Sequence, residues 1–480
     1  VERHANRGPG AARNRGIDVA AGAYCLFMDD DILAEPELVN EHLTAQRAGA
    51  GVVGIGMLRL RVRAERSGLA RHFAAWWEGH YRRFESGEAE PSFWDCFSGN
   101  MSAPSDVLRS IGGFDESLER TEDVELGYRL AQSGLRIVYL GRAAAEQHHQ
   151  KGFREIVRDY DRAGAAALAM WRRHPALLGY APLGDFAQGG TRVLLLRRLL
   201  LAARAPVWPI AVIDRFLARR PSVRLYAFLQ LYCFWRGLRR ALDDRDTWLR
   251  LTRGTVILMY HAIARSGETA SRFVMPARRF RGQLSWIRWR RRPVLSLDEY
   301  VGCRRENRLP PARSVVITLD DGYADNGDLA APMLRSAGMP ATVFVVTEAV
   351  GATNSWDGAG TLAGRRILSW PELRRLREEG VAFGAHTATH PDLTELAPAA
   401  MEHELAESRA QLERELGEPV RHFAYPYGEC SGETEKRVRD AGFESACGIE
   451  PGPNGGAVPL HRLRRMEVWG TRSLPRFALD

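Results

Sequence analysis

SVVITLDDGYADN, residues 314–326, decides the fold of the C-terminal half. An apolar, β-branched run enters directly on Asp320, Asp321 and Gly322, so a buried strand delivers two carboxylates to a tight turn. Four further apolar runs share this texture: VILMYH (256–261), ATVFVV (341–346), VAFGAHT (381–387) and HFAYPYG (422–428). Helical segments lie between them. Asn326 to Ala337 ends at Gly338, Ser369 with Glu372 makes a capping box ahead of Leu373, and Leu405, Leu412 and Leu416 stripe another helix. Strands alternating with helices predict an α/β domain with parallel pairing, a βα barrel or an open sheet, whose chemistry sits at the C-terminal strand ends.

The acids and histidines fall at those ends. Asp320 and Asp321 repel each other, and a divalent cation relieves the repulsion by taking one carboxylate as ligand while the other stays free as a base. HTATH supplies His386 and His390 directly after another apolar strand. Two imidazoles and one carboxylate are a usual ligand set for catalytic zinc, with a position left for water, and the same set accepts cobalt, nickel or iron. Taken singly, the Asp pair also reads as a helix cap and the two histidines as loop residues.

Together and in this order, TLDDG and HTATH resemble the polysaccharide deacetylase family, also called the NodB-homology family or carbohydrate esterase family 4, over about residues 254–470. The resemblance implies a distorted (β/α) barrel that hydrolyses the acetyl group from an N-acetylated sugar or glycan. By position, Asp320 matches the family's general base, and Asp321, His386 and His390 match its metal ligands. The backbone N–H that holds the oxyanion belongs to the motif matching AYPYG, which points to Tyr427, while Pro426 and Gly428 also read as a plain turn. Where many members place an arginine to orient the base, this chain has Ala424 followed by Tyr425, so Arg464 or Arg465 is the expected substitute. The proton donor to the leaving amine is either His461, in VPLHRLRRMEV, or His261, in LMYH.

The opening residues RGPGAARNRGIDVAAGAYCLFMDDDILAEPELV alternate in the same way, with a buried strand YCLFM running into Asp29, Asp30 and Asp31. Downstream, GGFDE precedes Glu122 and Asp123 at a helix start, where Thr121 is positioned as a cap. These stretches resemble a family 2 glycosyltransferase of the GT-A fold over about residues 1–175. The resemblance implies that Asp29 and Asp31 hold a Mn2+ or Mg2+ ion bridging a donor diphosphate, that Asp123 is the catalytic base, and that His148 is a further contact to metal or diphosphate. The family's opening nucleotide-binding strands do not precede Val1, which gives the expectation of a truncated Rossmann-like domain that binds a nucleotide sugar only when the missing N-terminal part is present.

The domain layout expected is 1–180 for the glycosyltransferase-like part, 181–250 for a basic apolar linker and 251–480 for the deacetylase. A length of 480 residues suits several cores. The linker breaks short apolar clusters with arginines, a pattern that suits either interfacial helices with Trp208, Tyr226, Tyr232 and Trp235 at a membrane surface or linker helices packed between domains. The net charge of +8 suits anionic headgroups or phosphorylated donors, and no zinc knuckle or RNA-binding aromatic signature points to nucleic acid. Six scattered cysteines without a CxxC pair suit a reducing compartment. With no signal-peptide pattern and no apolar run of roughly 18 residues, the expected location is cytoplasmic, peripheral on the inner face of the membrane. The expected partners are an N-acetylated glycan or a lipid-linked sugar. A competing reading keeps the fold but hydrolyses esters or cyclic imides, with a non-catalytic membrane- or glycan-binding N-terminal module.

Overall fold

The computed structural model describes residues 7–49, 51–62, 67–149, 151–180, 182–217, 222–265, 267–358 and 360–479. It divides into two compact units: Val1–His174 with Leu196–Asp243, and Pro175–Leu195 with Asp244–Asp480. The stretch 181–250, expected as a separate linker, is thus shared between the two.

The first unit is built on a five-stranded mixed sheet. Its strands are β1 (Tyr24–Met28), β2 (Ile32–Ala34), β3 (Val52–Val62), β4 (Asn100–Pro104) and β5 (Arg136–His149), in the order β1-β4-β3-β5-β2. β3 and β5 run parallel, whereas β4 pairs antiparallel with both β1 and β3. YCLFM was expected to be buried throughout. As an edge strand it alternates instead, with Cys25 and Phe27 inward and Tyr24 and Met28 exposed. Thr121 does not cap the helix Glu122–Gln132 with its side chain; its backbone is left-handed and its hydroxyl bonds the Arg120 carbonyl.

The helix Val223–Ala241 packs along Phe153–Arg173 so closely that a Cβ at Gly164 would strike Phe234 and one at Gly237 would strike Asp161. That approach buries Tyr226, Tyr232 and Trp235, which corrects the expectation that they sit at a membrane interface. Trp208 alone of the four is exposed.

In the second unit the strands are β6 (Val256–Tyr260), β7 (Ala262–Ala264), β8 (Val274–Pro276), β9 (Val294–Leu295), β10 (Val315–Leu319), β11 (Thr342–Val345), β12 (Ala382–Ala385), β13 (His422–Ala424), β14 (Ser445–Cys447) and β15 (Arg465–Glu467). The main sheet is parallel and runs β14-β13-β12-β11-β10-β6-β15, with β9 paired to β10. A parallel bridge between Cys447 and Leu463 joins β14 to the approach of β15, so the sheet curls into a nearly closed barrel. Every residue of β10 and β11 is buried, because the barrel interior covers one face and helices cover the other. The Ser369–Glu372 capping box forms as expected, Gly338 caps its helix in the left-handed conformation, and Leu405, Leu412 and Leu416 are buried on the helix Pro398–Leu416. The Asn326–Ala337 stretch is split, with a wide π turn over Asn326–Ala330 before a regular helix. All six cysteines are free thiols.

Candidate functional site

At the C-terminal end of β10 the chain turns through Asp321 (φ 72°) and Gly322 (φ 75°), both left-handed. This turn aims the Asp320 and Asp321 side chains into one cavity of about 270 Å3. His386 leaves β12 at the same end, and the turn that follows is also strained, with Thr387 and His390 at φ 65° and 68°. Two polar groups hold it. The Thr387 hydroxyl accepts the His390 N–H, and the buried Glu404 carboxylate accepts the N–H groups of Ala388 (2.8 Å) and Thr389 (2.9 Å). Glu404 escaped the sequence reading because it lies on a distant helix and belongs to no motif.

Asp321, His386 and His390 form, among the described residues, the group of histidine and carboxylate ligand atoms that converges within 4.8 Å. The Nε2 atoms of His386 and His390 lie 3.5 and 3.4 Å from Asp321 Oδ1. The Ala424 carbonyl can only accept, so His386 Nδ1, 2.7 Å away, donates to it, and Nε2 is the nitrogen that faces Asp321. Burial opposes ionisation of Asp321, but hydrogen bonds from the two histidines outweigh it and hold the carboxyl well below its ordinary range. Burial likewise opposes charge on His386, yet the neighbouring carboxylates raise it, whereas at His390 burial wins and lowers it. A buried, preformed N2O donor set, with the His386 ring oriented by the Ala424 carbonyl, fits a divalent transition metal.

Asp320 stands outside that trio but in the same cavity. Its Oδ1 accepts from Arg465 Nη1 at 2.7 Å, with the two side chains 4% and 1% exposed. Burial raises the Asp320 carboxyl and the guanidinium charge lowers it, with a net shift below the ordinary value. Of the two arginines proposed to stand in for the residue at Ala424, Arg465 makes this pair, and Arg464 reaches toward Asp185 instead.

Aromatic rings enclose the site. Trp356 stacks on His390 at 4.7 Å and 18°, and Tyr427 meets the same ring edge-on at 4.8 Å. Tyr323 is hydrogen-bonded to Asp321 and accepts Asn354 Nδ2 at 2.6 Å. Neither Trp356 nor Asn354 was singled out in the sequence, since they come from a loop after β11 without a recognised pattern. Tyr427 is left-handed at φ 56° and its side chain is exposed, so the turn and the aromatic wall are one structure. His261 lines the cavity against Phe273. His461 does not: its Nε2 donates to the Phe443 carbonyl at 2.8 Å, with the ring outside the cavity wall.

In the first unit a cavity of about 380 Å3 brings Asp29, Asp30, Asp31 and Asp123 together opposite Trp77 and Phe97. Arg13 bridges Asp29 (2.9 Å) and Glu122 (2.6 Å), and Gln147 donates to Asp31 at 3.0 Å. Asp123 is pushed up to about 6, first by burial and then by the Glu122 charge, against hydrogen bonds from Ser98 and Val124. The His148 side chain is exposed and pairs with Glu146 at 3.2 Å, away from this cavity.

The family profile described as Polysaccharide deacetylase matches residues 307–446, which include Asp320, Asp321, His386 and His390, and the profile described as Glycosyltransferase like family 2 matches residues 1–166. The chain joins a polysaccharide deacetylase domain to a glycosyltransferase-like domain of family 2. The deacetylase domain is a hydrolase. YxkH of Bacillus subtilis (strain 168), provisionally named a polysaccharide deacetylase, is 27% identical over 227 residues, 46% of this chain and 76% of its own length. A poly-beta-1,6-N-acetyl-D-glucosamine N-deacetylase of Staphylococcus epidermidis is 25% identical over 174 residues, 34% of this chain and 57% of that protein, so the match spans little more than half of it. Among solved structures, IcaB from Ammonifex degensii is 25% identical with a TM-score of 0.42, covering 47% of this chain and 96% of that one.

Proposed function

We propose that the deacetylase domain removes acetyl groups from the amide nitrogens of an N-acetylated glycan, with a divalent transition metal, zinc by preference, held by Asp321, His386 and His390. The observation that carries this reading is the placement of Asp320, ionised against Arg465, beside that buried trio in one cavity. A metal bound there supplies Lewis acidity to the acetyl carbonyl and to water. Asp320 takes the water proton, and Arg465 keeps its carboxylate oriented and charged. The Tyr427 backbone N–H receives the developing oxyanion, and His261, which lines the same cavity, protonates the departing amine. An amine leaves poorly unless protonated, which is why a second titratable group is needed.

The attached domain is assigned to glycan assembly from a nucleotide sugar, with Asp29 and Asp31 holding Mn2+ or Mg2+ and Asp123 as base. A carboxyl near 6 accepts a proton from an acceptor hydroxyl around neutral pH. Such donors are cytosolic, so the cytoplasmic side of the membrane is the location that fits.

The deciding experiment measures acetate released by the full chain from oligomers of beta-1,6-linked N-acetylglucosamine, together with bound metal, for the wild type and for Asp320→Asn and His386→Ala. The proposal expects about one metal per chain in the wild type, metal without activity in Asp320→Asn, and neither in His386→Ala. A wild type that binds no transition metal after reconstitution, or that cleaves esters and spares amides, refutes it.

A further inference from the structure

The helix Trp208–Leu217 belongs to the first unit, and no catalytic role given above uses it. Its inner face packs Ile210 and Ala211 against the core and buries Asp214, 1% exposed, which accepts the Leu69 N–H and the Tyr226 hydroxyl, each at 2.8 Å. Pinned in this way, the helix turns Trp208, Val212, Ile213 and Phe216 outward. Trp208, Val212 and Phe216 recur every four residues on one stripe and are 66%, 56% and 82% exposed, with Ile213 beside them at 48%. Leu196 and Leu199 on the preceding helix and Val223 at the start of the next are exposed as well. Soluble surfaces rarely carry so many large apolar side chains together without a partner.

The charge pattern selects the partner. Between Thr191 and Leu242 the sequence holds eleven arginines and a single acid, Asp214, which is already buried in hydrogen bonds. Arg204 and Arg224 flank the helix and are exposed. An apolar stripe with a tryptophan, flanked by cations and free of exposed acid, matches the boundary between anionic headgroups and acyl chains. Ten residues reach only about 15 Å, half of what a bilayer core requires. No described helix is long and apolar enough to cross a membrane. The helix Gly68–Glu85, to which Asp214 is bonded, also carries Phe73 and Trp77 into the cavity around Asp123 and exposes Trp76.

We propose that the outer face of Trp208–Leu217, with Leu199 and Val223, lies in the headgroup layer of an anionic bilayer and holds the Asp123 cavity beside that surface. The proposal deepens the membrane-side location given above. It is independent of the chemistry at Asp320, so the two can fail separately. The test is flotation of the full chain with phosphatidylcholine vesicles, with and without phosphatidylglycerol. The wild type should float with the anionic vesicles and be released as salt rises. The double variant Val212→Ser/Phe216→Ser should lose at least about tenfold in affinity, Phe216→Trp should keep it, and acetate release should be unchanged in both. Failure of the wild type to float, or unaltered binding by a folded Val212→Ser/Phe216→Ser chain, overturns the proposal. So does a concentration-dependent dimer that the same substitutions abolish, because a second copy would then cover this face.

Discussion

Arg465 and Asp320 form a 2.7 Å ion pair that is almost wholly shielded from water, reaching across β6 from β15 to the end of β10. Removing one partner strands the other charge. Arg465→Met should therefore destabilise the chain by roughly 3–5 kcal/mol, and the double variant Arg465→Met/Asp320→Asn should recover part of that loss. Denaturant unfolding of the wild type, Arg465→Met, Asp320→Asn and the double variant checks this; a double variant no more stable than Arg465→Met would mean the pair is not coupled.

The stack of Trp356 on His390 fixes the plane of an imidazole whose Nδ1 has no hydrogen-bond partner. Without that fixation the ligand nitrogen loses its aim. Trp356→Ala should weaken metal binding about tenfold, and Trp356→Phe should restore most of it. Chelator competition followed by metal analysis gives the numbers, and equal affinities in all three proteins would show that the stack does not position the ligand.

The part assigned to Tyr427 is played by its backbone, and its side chain is 53% exposed. Tyr427→Ala should accordingly change KM for a glycan more than kcat, since the ring forms the cavity wall and the N–H remains. A fall in kcat of more than about a hundredfold with KM unaltered would move the role to the phenol.

Asp123 supplies a pH prediction. Its carboxyl stands at about 6 in the folded state, above the ordinary value, so the native chain binds the proton more tightly than the unfolded one. Stability should then fall as pH rises from about 4 through 6, by an amount on the order of 2–3 kcal/mol, and level off above. Asp123→Asn removes this slope. Thermal unfolding of wild type and Asp123→Asn should agree near pH 4 and differ by several degrees at pH 8, with the variant higher. A variant less stable than wild type at pH 8 contradicts the assignment of burial as the cause.

The strands around Asp320 and His386 were legible because a fully buried parallel strand needs an unbroken apolar run, and each run stops at a polar residue facing the cavity. What supports them was not. Glu404 and Asn354 act through hydrogen bonds to groups 15–31 positions away, and spacing along the chain carries no trace of such contacts. His461 and His261 were equivalent as isolated histidines, and what separates them is that His261 lines the cavity while the Phe443 carbonyl occupies the His461 ring. The edge position of YCLFM was hidden for a related reason: an apolar pentapeptide does not announce how many neighbours its strand will have.

The seam between Cys447 and Leu463 divides the barrel's working parts unequally. The ligand trio hangs on β10 and β12, in the interior of the strand path, whereas Arg465 rides on β15, whose ladder partner is β6. An excursion that peels β15 away would disconnect Arg465 from Asp320 and leave the metal cage assembled. On heating, activity should then vanish before the chain melts and before a metal loaded at the proposed site is released, and on cooling it should return without reloading.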